Sequence, residues 1–166
     1  LEVLEVLKVL RVRDMTVEEI KAAAAELETA SPAEILRWAA DHFPARLTFA
    51  TSLGIEDCIV TDLIARARLP IQLFTLDTGL LFPESYALWK EIEARYAVSI
   101  QAVKPQFTVA EQAEREGDAL WEREPDRCCD LRKIEPLRRT LEGYDAWITA
   151  IRREQTPERA KAPVVG

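Results

Sequence analysis

The adjacent residues Cys128 and Cys129 have the clearest chemical potential in this chain. Consecutive side chains on a helix point about 100° apart, so two neighbouring thiols do not readily serve as two ordinary core residues. A disulfide between them would strain the intervening peptide, given the geometry that disulfides prefer. Neighbouring thiolates can instead bind one polynuclear metal centre, because iron–sulfur clusters are held by cysteine thiolates. The pair therefore indicates half of a cluster site.

Charged residues surround the cysteine pair. Arg132 and Lys133 follow it closely, and their positive charge would stabilise thiolates and offset the negative charge of a thiolate-bound cluster. Two buried unreactive thiols and a peripheral redox pair are alternative interpretations. The charges that flank the pair, on Arg127, Asp130, Arg132 and Lys133, argue against simple burial, because charged residues are almost never buried without a partner. Cys58 lies in an apolar stretch, and we interpret it as a core residue.

Three arginines near the end of the chain are candidates for binding an anion. Arg152, Arg153 and Arg159 follow a predicted strand, and guanidinium groups suit the bidentate recognition of phosphate or sulfate oxygens. An exposed arginine face that pairs with Glu154 and Glu158 is the alternative. The sequence by itself leaves these two interpretations open.

Two further segments join a predicted strand to a predicted helix. Residues 51–57 contain small hydroxyl side chains and a glycine, which can expose backbone N–H groups where a helix N-terminus stabilises an anion. The segment is not a Walker A loop, and a simply capped turn is the alternative. In the second segment, Asp77 and Gly79 form a turn and Pro83 starts the next helix. Its composition alone requires no more than a well-formed connection.

Apolar periodicity and capping signals predict the elements that position these residues. Thr16 before Glu19 and Ser31 before Pro32 each indicate the start of a helix. Helices are predicted over 16–29, 32–42, 56–67, 83–96, 108–116 and 134–141, and strands over 47–50, 71–76, 98–103 and 146–150.

Strands and helices alternate at the spacing of βαβ units. This alternation predicts an α/β fold in which a mostly parallel sheet carries helices on both faces. Binding sites in such sheets lie outside the carboxyl ends of the strands. The segments predicted at these ends are 51–57, 77–86, 104–107 and 151–159. We therefore expect them to converge on one site.

Length and composition are those of one globular domain. The chain has 166 residues, 48% of them hydrophobic, and a formal net charge of −7, which disfavours broad nucleic-acid binding or an anionic membrane role. Its three cysteines form no regular disulfide framework, so we expect a reducing, cytoplasmic location. We interpret residues 15–166 as a single domain and residues 1–14 as an extension; a helix or edge strand is the alternative for residues 1–14.

Four strings of this sequence, taken together and in order, resemble the assimilatory adenylyl-sulfate and phosphoadenylyl-sulfate reductases. They are ATSLGIED, TLDTGLLFPESY, CCDLRKIEPL and WITAIRREQTPERA, within a similarity that covers roughly residues 16–160. The resemblance implies the adenine-nucleotide α-hydrolase-like fold, which is related to the PP-loop ATP pyrophosphatases. The double cysteine resembles the cluster-bearing branch, which usually reduces adenylyl sulfate rather than its 3′-phosphorylated form.

The same resemblance implies a set of site residues. Adenylyl sulfate would be bound by Thr51, Ser52, Leu53, Gly54, Glu56, Leu76, Asp77, Thr78, Gly79, Arg152, Arg153 and Arg159. Cys128 and Cys129 would be two ligands of a [4Fe-4S] cluster. Lys133 would lie between the cluster and the sulfate of the substrate, where its charge supports the reaction.

The chemistry implied by the resemblance is nucleophilic. A cysteine thiolate attacks the sulfate sulfur, releases AMP and becomes S-sulfocysteine, from which thioredoxin or glutaredoxin liberates sulfite. The family's nucleophilic cysteine and a later Cys-x-x-Cys are missing after residue 161, so we interpret the domain as C-terminally incomplete. A non-catalytic adenine-nucleotide-binding module and a PP-loop ATP-using sulfurtransferase or ATP sulfurylase-like protein are the alternatives.

The cysteine count also leads to an expectation about iron. Fe–S clusters usually need about four protein ligands, and the pair supplies two. We therefore expect the chain alone to be largely iron-free, with two exposed and reactive thiols. A homo-oligomer in which two subunits share one cluster is the alternative.

Overall fold

The computed structural model describes residues 8–10 and 15–166, which form a five-stranded sheet covered by helices. The strands are β1 (Lys8–Leu10), β2 (Leu47–Ala50), β3 (Gln72–Leu76), β4 (Ile100–Val103) and β5 (Ala146–Thr149). Their order across the sheet is β1-β5-β2-β3-β4. Strands β2 to β5 are parallel, and β1 pairs antiparallel with β5. The predicted α/β fold with a mostly parallel sheet is confirmed.

The predicted helices are present. Two short helices that the sequence did not indicate are also present, one before the cysteine pair and one that contains it. The helices are α1 (Val17–Glu26), α2 (Pro32–His42), α3 (Ile55–Ala67), α4 (Pro83–Tyr96), α5 (Val109–Glu116), α6 (Leu120–Arg123), α7 (Pro125–Cys129) and α8 (Glu135–Leu141). A π-helical turn, Asp130–Ile134, joins α7 to α8, and 3₁₀ turns occur at Arg153–Gln155 and Arg159–Lys161.

Three of the helices begin where a side chain caps them. Thr16, Ser31 and Thr108 each accept a hydrogen bond from the backbone N–H three residues later, and the glutamate at that position reaches back to the capping residue. This reciprocal arrangement satisfies backbone donors that have no partner within the helix. The first helix ends at Glu26, earlier than the predicted residue 29.

The two faces of the sheet carry separate hydrophobic clusters. On one face, Phe49 and Ile148 are fully buried among residues of α1 to α4. On the other face, Phe74 and Val103 pack against Leu141 of α8. Helices therefore cover both faces, as the alternation of strands and helices predicted.

The connectivity of the sheet places a crevice next to β2. The chain runs from β2 outward to β3 and β4, and then returns to the other side of β2 as β5. Such a reversal of direction leaves a crevice at the carboxyl ends of the adjacent strands, where ligands bind in open α/β sheets. The loops that follow β2 and β5 both begin there.

Residues 8–10 lie within the segment that we interpret as an extension. They form the edge strand β1, whose backbone pairs with Trp147, Ile148 and Thr149 of β5. The rest of that segment lies outside the described residues, so its origin stays a prediction. Within the described part of the chain, we find no helix with the length and apolar character needed to cross a bilayer.

Candidate nucleotide and cysteine site

A cavity of about 300 Å³ lies at the carboxyl ends of β2 and β3. Apolar side chains, including Phe74, Leu137 and Trp147, form much of its wall, and hydroxyl groups and one amine supply polar contacts. Mostly apolar cavities with a few placed polar groups are typical small-molecule sites. The predicted site residues that line it are Thr51, Ser52, Leu53, Leu76, Thr78 and Lys133.

A second cavity, of about 270 Å³, contains the cysteine pair. Cys128 and Cys129 line it together with Trp121 and other residues of the α6–α8 region. Thr78, Leu81 and Lys133 line both this cavity and the first one. Lys133 therefore lies at the boundary that the two cavities share.

A buried carboxylate determines the conformation of the loop after β2. The backbone N–H and the hydroxyl of Ser52 donate to Oδ2 of Asp57 at 2.5 and 2.6 Å, and Asp57 is only 8% exposed. The N–H of Leu53 donates to Oγ1 of Thr51 at 3.0 Å, and Leu53 has a φ of 64°. Burial raises the pKa of Asp57, although the hydrogen bonds from Ser52 oppose this effect.

The prediction of site residues did not include Asp57. A signal was available, because Asp57 occupies the third position of α3, from which a side chain commonly reaches back to the residues before the helix. The N-cap residue, Gly54, has no side chain that could make this contact itself.

The loop after β5 meets the loop after β2 through Glu56. Nε of Arg152 donates to Oε1 of Glu56 at 2.9 Å, and Nε2 of Gln155 lies 3.5 Å from the same oxygen. Arg159 donates to Oε1 of Gln155. The backbone N–H of Glu56 and the charge of Arg152 lower the pKa of the Glu56 carboxyl. Two of the three predicted arginines are thus gathered beside the loop that follows β2.

The third predicted arginine has a different set of partners. Nη1 and Nη2 of Arg153 donate to the two carboxylate oxygens of Glu28 at 2.6 and 2.9 Å, and its Nε donates to the carbonyl of Ala162 at 3.0 Å. These bonds join the loop after β5 to the segment after α1. Arg153 thus contacts Glu28 and Ala162, whereas Arg152 contacts Glu56 and Arg159 contacts Gln155. The role of Arg153 in anion binding stays a prediction.

The turn after β3 is held by the side chain of Asp77. Its Oδ1 accepts hydrogen bonds from the hydroxyl of Tyr86 at 2.6 Å and from the N–H of Gly79 at 3.2 Å. The bond to Asp77 raises the pKa of Tyr86. Asp77 and Gly79 line a third cavity, of about 350 Å³, together with Lys104. Of the four substrate-binding residues predicted at this turn, Leu76 and Thr78 line the first cavity, whereas Asp77 and Gly79 do not.

Arg132 connects the turn after β3 to the helix that carries the cysteines. Its side chain is 3% exposed, and its Nε donates to the carbonyl of Thr78 at 2.6 Å. Its Nη1 donates to Oε1 of Gln112 at 2.9 Å, and Nε2 of Gln112 lies 3.9 Å from Sγ of Cys128. Gly79 has a φ of +72°, and a Cβ there would lie 3.2 Å from Nη2 of Arg132.

The burial of Arg132 differs from what the sequence predicts. Charges around the cysteine pair predict that the pair is not buried, but Arg132 is itself buried because backbone carbonyls and an amide accept its hydrogen bonds. Cys128 is also buried, at 6% exposure, whereas Cys129 is half-buried. The expectation of two exposed thiols is therefore wrong. Cys58 packs against the main core cluster, as predicted.

The described residues alone do not complete a metal centre. Among them, no group of three or more histidine, cysteine, aspartate or glutamate side chains is arranged to hold an ion. Cys128 and Cys129 supply two thiols in one cavity, whereas a [4Fe-4S] cluster is normally held by four cysteines. The residues present thus fit at most half of a cluster site.

Comparisons with known proteins all identify relatives among the same sulfonucleotide reductases. A model of the phosphoadenosine phosphosulfate reductase domain matches residues 46–166. The chain is 45% identical over 127 residues to adenosine 5′-phosphosulfate reductase 1 of Bacillus subtilis, a match that covers 76% of this chain and 54% of that protein. It is 43% identical to the adenosine 5′-phosphosulfate reductase of Streptomyces coelicolor, over 92% of this chain and 66% of the relative. The matches thus span about half to two thirds of these relatives.

A solved structure shares the fold. The crystal structure of the phosphoadenylyl-sulfate reductase of Candida auris in a phosphate complex superposes with a TM-score of 0.76 and 31% identity, and the alignment covers 84% of this chain and 70% of the other. The similarity to this solved structure agrees with the α/β architecture, and the similarity in sequence agrees with the four strings quoted above. The chain therefore belongs to the phosphoadenosine phosphosulfate reductase family.

Proposed function

We propose that this chain is the nucleotide-binding part of an adenylyl-sulfate reductase of sulfate assimilation. The single observation that carries the proposal is that Lys133 lines both the cavity beside residues 51–53 and the cavity of the cysteine pair. Relatives of this chain are named adenosine 5′-phosphosulfate reductase, which supports adenylyl sulfate as the substrate. Adenosine 5′-phosphosulfate is another name for adenylyl sulfate.

The residues that line the 300 Å³ cavity suit a nucleotide in which an apolar base is joined to an anionic group. Phe74, Leu137 and Trp147 offer apolar surface for the adenine. The hydroxyl groups of Thr51 and Thr78 and the amine of Lys133 offer donors for the phosphosulfate. In this arrangement the sulfate points toward Lys133 and hence toward the cysteines.

The proposed reaction is a nucleophilic transfer of the sulfo group. A cysteine thiolate attacks the sulfate sulfur, the bond from sulfur to the phosphate oxygen breaks, and AMP leaves with the electron pair. A thiol of thioredoxin or glutaredoxin then attacks the S-sulfocysteine, so that sulfite departs and a mixed disulfide forms, which the second thiol of the reductant resolves. We assign the nucleophile to a part of the longer protein outside these 166 residues.

Cys128 and Cys129 would be two of the ligands of a [4Fe-4S] cluster in that longer protein. When bound, the cluster supplies a charged centre next to the substrate rather than the electrons for the reaction. Lys133 would hold the sulfate oxygens on one side while it faces the cysteine cavity on the other. For the chain by itself we propose an iron-poor state, because it offers two of the four thiolates.

Calorimetric titration with adenylyl sulfate, its 3′-phosphorylated form and ATP tests the proposal. We expect adenylyl sulfate to bind most tightly, and Lys133→Met to weaken its binding by about tenfold, because a charge-assisted contact is lost. Lys90→Met, on the exposed surface of α4, is the matched control and should leave the affinity unchanged.

Three outcomes would contradict the proposal. Equal affinity of the wild type and the Lys133→Met variant would remove Lys133 from the site. Preferential binding of ATP with release of pyrophosphate would instead support a PP-loop ATP-using enzyme. Adenylyl-sulfate binding without sulfite formation, even in the longer protein, would support a non-catalytic nucleotide-binding module.

A further inference from the structure

Glu56 and Arg152 form an ion pair across the crevice between β2 and β5. Nε of Arg152 and Oε1 of Glu56 are 2.9 Å apart, and the two side chains are 34% and 22% exposed. Glu56 lies in the first turn of α3, and Arg152 follows β5 in the chain. The pair thus closes the two loops onto each other at the point where the sheet reverses direction.

Gln155 and Arg159 complete a group centred on this carboxylate. Gln155 places its Nε2 3.5 Å from Oε1 of Glu56, and its own Oε1 accepts hydrogen bonds from Arg159 and from the N–H of Arg152. Glu154 also approaches Arg152, at 3.4 Å, but its side chain is 63% exposed. Glu56 is therefore the main internal counter-charge of Arg152.

The groups that attract the Glu56 carboxylate would also attract the anionic group of a ligand. The N-terminal turn of α3, a helix of 13 residues, attracts negative charge, and the guanidinium of Arg152 is suited to bidentate oxyanion binding. Both attractions are directed at the Glu56 carboxylate in this structure. Arg152 is not among the residues that line the 300 Å³ cavity, and its guanidinium is paired with Glu56 in this structure.

We propose that Glu56 is an internal competitor for the anionic group of the nucleotide. In the free chain its carboxylate holds Arg152, and ligand binding exchanges that ion pair for one between Arg152 and the phosphosulfate. This inference rests on the proposed function of the site. The exchange lowers the binding affinity for every anion by the same factor. Only a nucleotide has additional adenosine contacts, which offset this loss of affinity. Glu56 thus lowers the occupancy of the site by free sulfate and phosphate.

Neutralising Glu56 tests the exchange. Glu56→Gln keeps the size of the side chain and an oxygen acceptor but removes the competing charge. We expect it to tighten the binding of inorganic sulfate and of adenylyl sulfate by about twofold to fivefold, measured by calorimetry at constant ionic strength. The matched control is Glu154→Gln, which removes a more exposed carboxylate from the same guanidinium and should change either affinity much less.

A double-mutant cycle identifies Arg152 as the group that is released. In an Arg152→Gln background, Glu56→Gln should no longer tighten sulfate binding, because the ion pair is already absent. The same gain in both backgrounds would overturn the inference, as would unchanged or weaker binding by Glu56→Gln alone. Failure of the wild-type chain to bind adenylyl sulfate would instead contradict the proposed function, whereas the inference is decided by the ratio of sulfate affinities.

Discussion

Asp57 illustrates how one side chain fixes the conformation of the loop after β2. Its Oδ2 accepts two hydrogen bonds from Ser52, and this contact holds the residues between them, which include Leu53 with its positive φ. The carboxyl is largely removed from solvent, and burial raises its pKa, with the neighbouring Glu56 adding a smaller repulsion. The loop therefore depends on an acid that is less stable as an anion than it would be in water.

The pH dependence of stability follows from the sign of this shift. The pKa of Asp57 is higher in the folded chain than the ordinary value of 3.8, so its contribution to the free energy of unfolding is complete below that pH. The contribution is lost as the pH rises through the folded pKa. Asp57→Asn cannot ionise, so urea unfolding from about pH 4 to pH 7 should show the variant gaining stability relative to the wild type.

Asp57→Ala provides the control for the hydrogen bonds. It removes the acceptor as well as the charge, and should lower the free energy of unfolding by about 1–3 kcal/mol because the Ser52 donors lose their partner. A stability difference between Asp57→Asn and the wild type that stays constant with pH would show that the carboxyl has an ordinary pKa.

At the scale of elements, the helix that carries the cysteines gives the two thiols different environments. Consecutive positions on a helix are turned by about 100°, so α7 directs Cys128 toward Gln112 and the interior while Cys129 stays half-buried. The π-helical turn that follows contains both Arg132, which is buried, and Lys133, which lines the two cavities. Turns of this kind occur often at functional sites.

This difference predicts the order in which the thiols react. Under native conditions Cys129 should be alkylated by iodoacetamide about tenfold faster than Cys128, because the buried thiol reacts only after local opening. Peptide mass spectrometry after timed quenching measures both rates in one sample. In denaturant the two rates should become equal, and equal rates in the native chain would show that α7 does not protect Cys128.

At the scale of the whole molecule, β1 forms one edge of the sheet and leaves β5 in an interior position. It covers one side of β5 along three residue pairs, and β5 leads into the arginine-bearing loop. Without β1, the free N–H and C=O groups of β5 would form a new sheet edge, which is prone to pair with other chains.

Deletion of residues 1–14 should therefore destabilise the domain. We expect the free energy of unfolding in urea to fall by about 1–2 kcal/mol, the combined contribution of a few cross-strand pairs, and light scattering to increase. Deletion of residues 1–7, which leaves β1 in place, is the control and should have a smaller effect. A fully stable chain without residues 1–14 would support the interpretation of this segment as an extension.

Local patterns in the sequence were sufficient for helices α1 to α5 and α8 and for strands β2 to β5, whereas the short helices α6 and α7 were not predicted. The capping boxes at Thr16, Ser31 and Thr108, and the alternation of strands with helices, depend on residues close together in the chain. The strings that identified the family are local as well, and the matches to known reductases agree with them. The convergence of loops at the carboxyl ends follows from the parallel sheet itself.

The tertiary structure alone decided which side chains face each other across long separations. Arg152 meets Glu56 from 96 residues away, and Arg132 reaches Thr78 from 54 residues away. Such contacts depend on packing and on the direction of each side chain, which no local pattern contains. For the same reason the burial of Cys128 and Arg132 and the separate partner of Arg153 emerged only when the sheet and its helices were assembled.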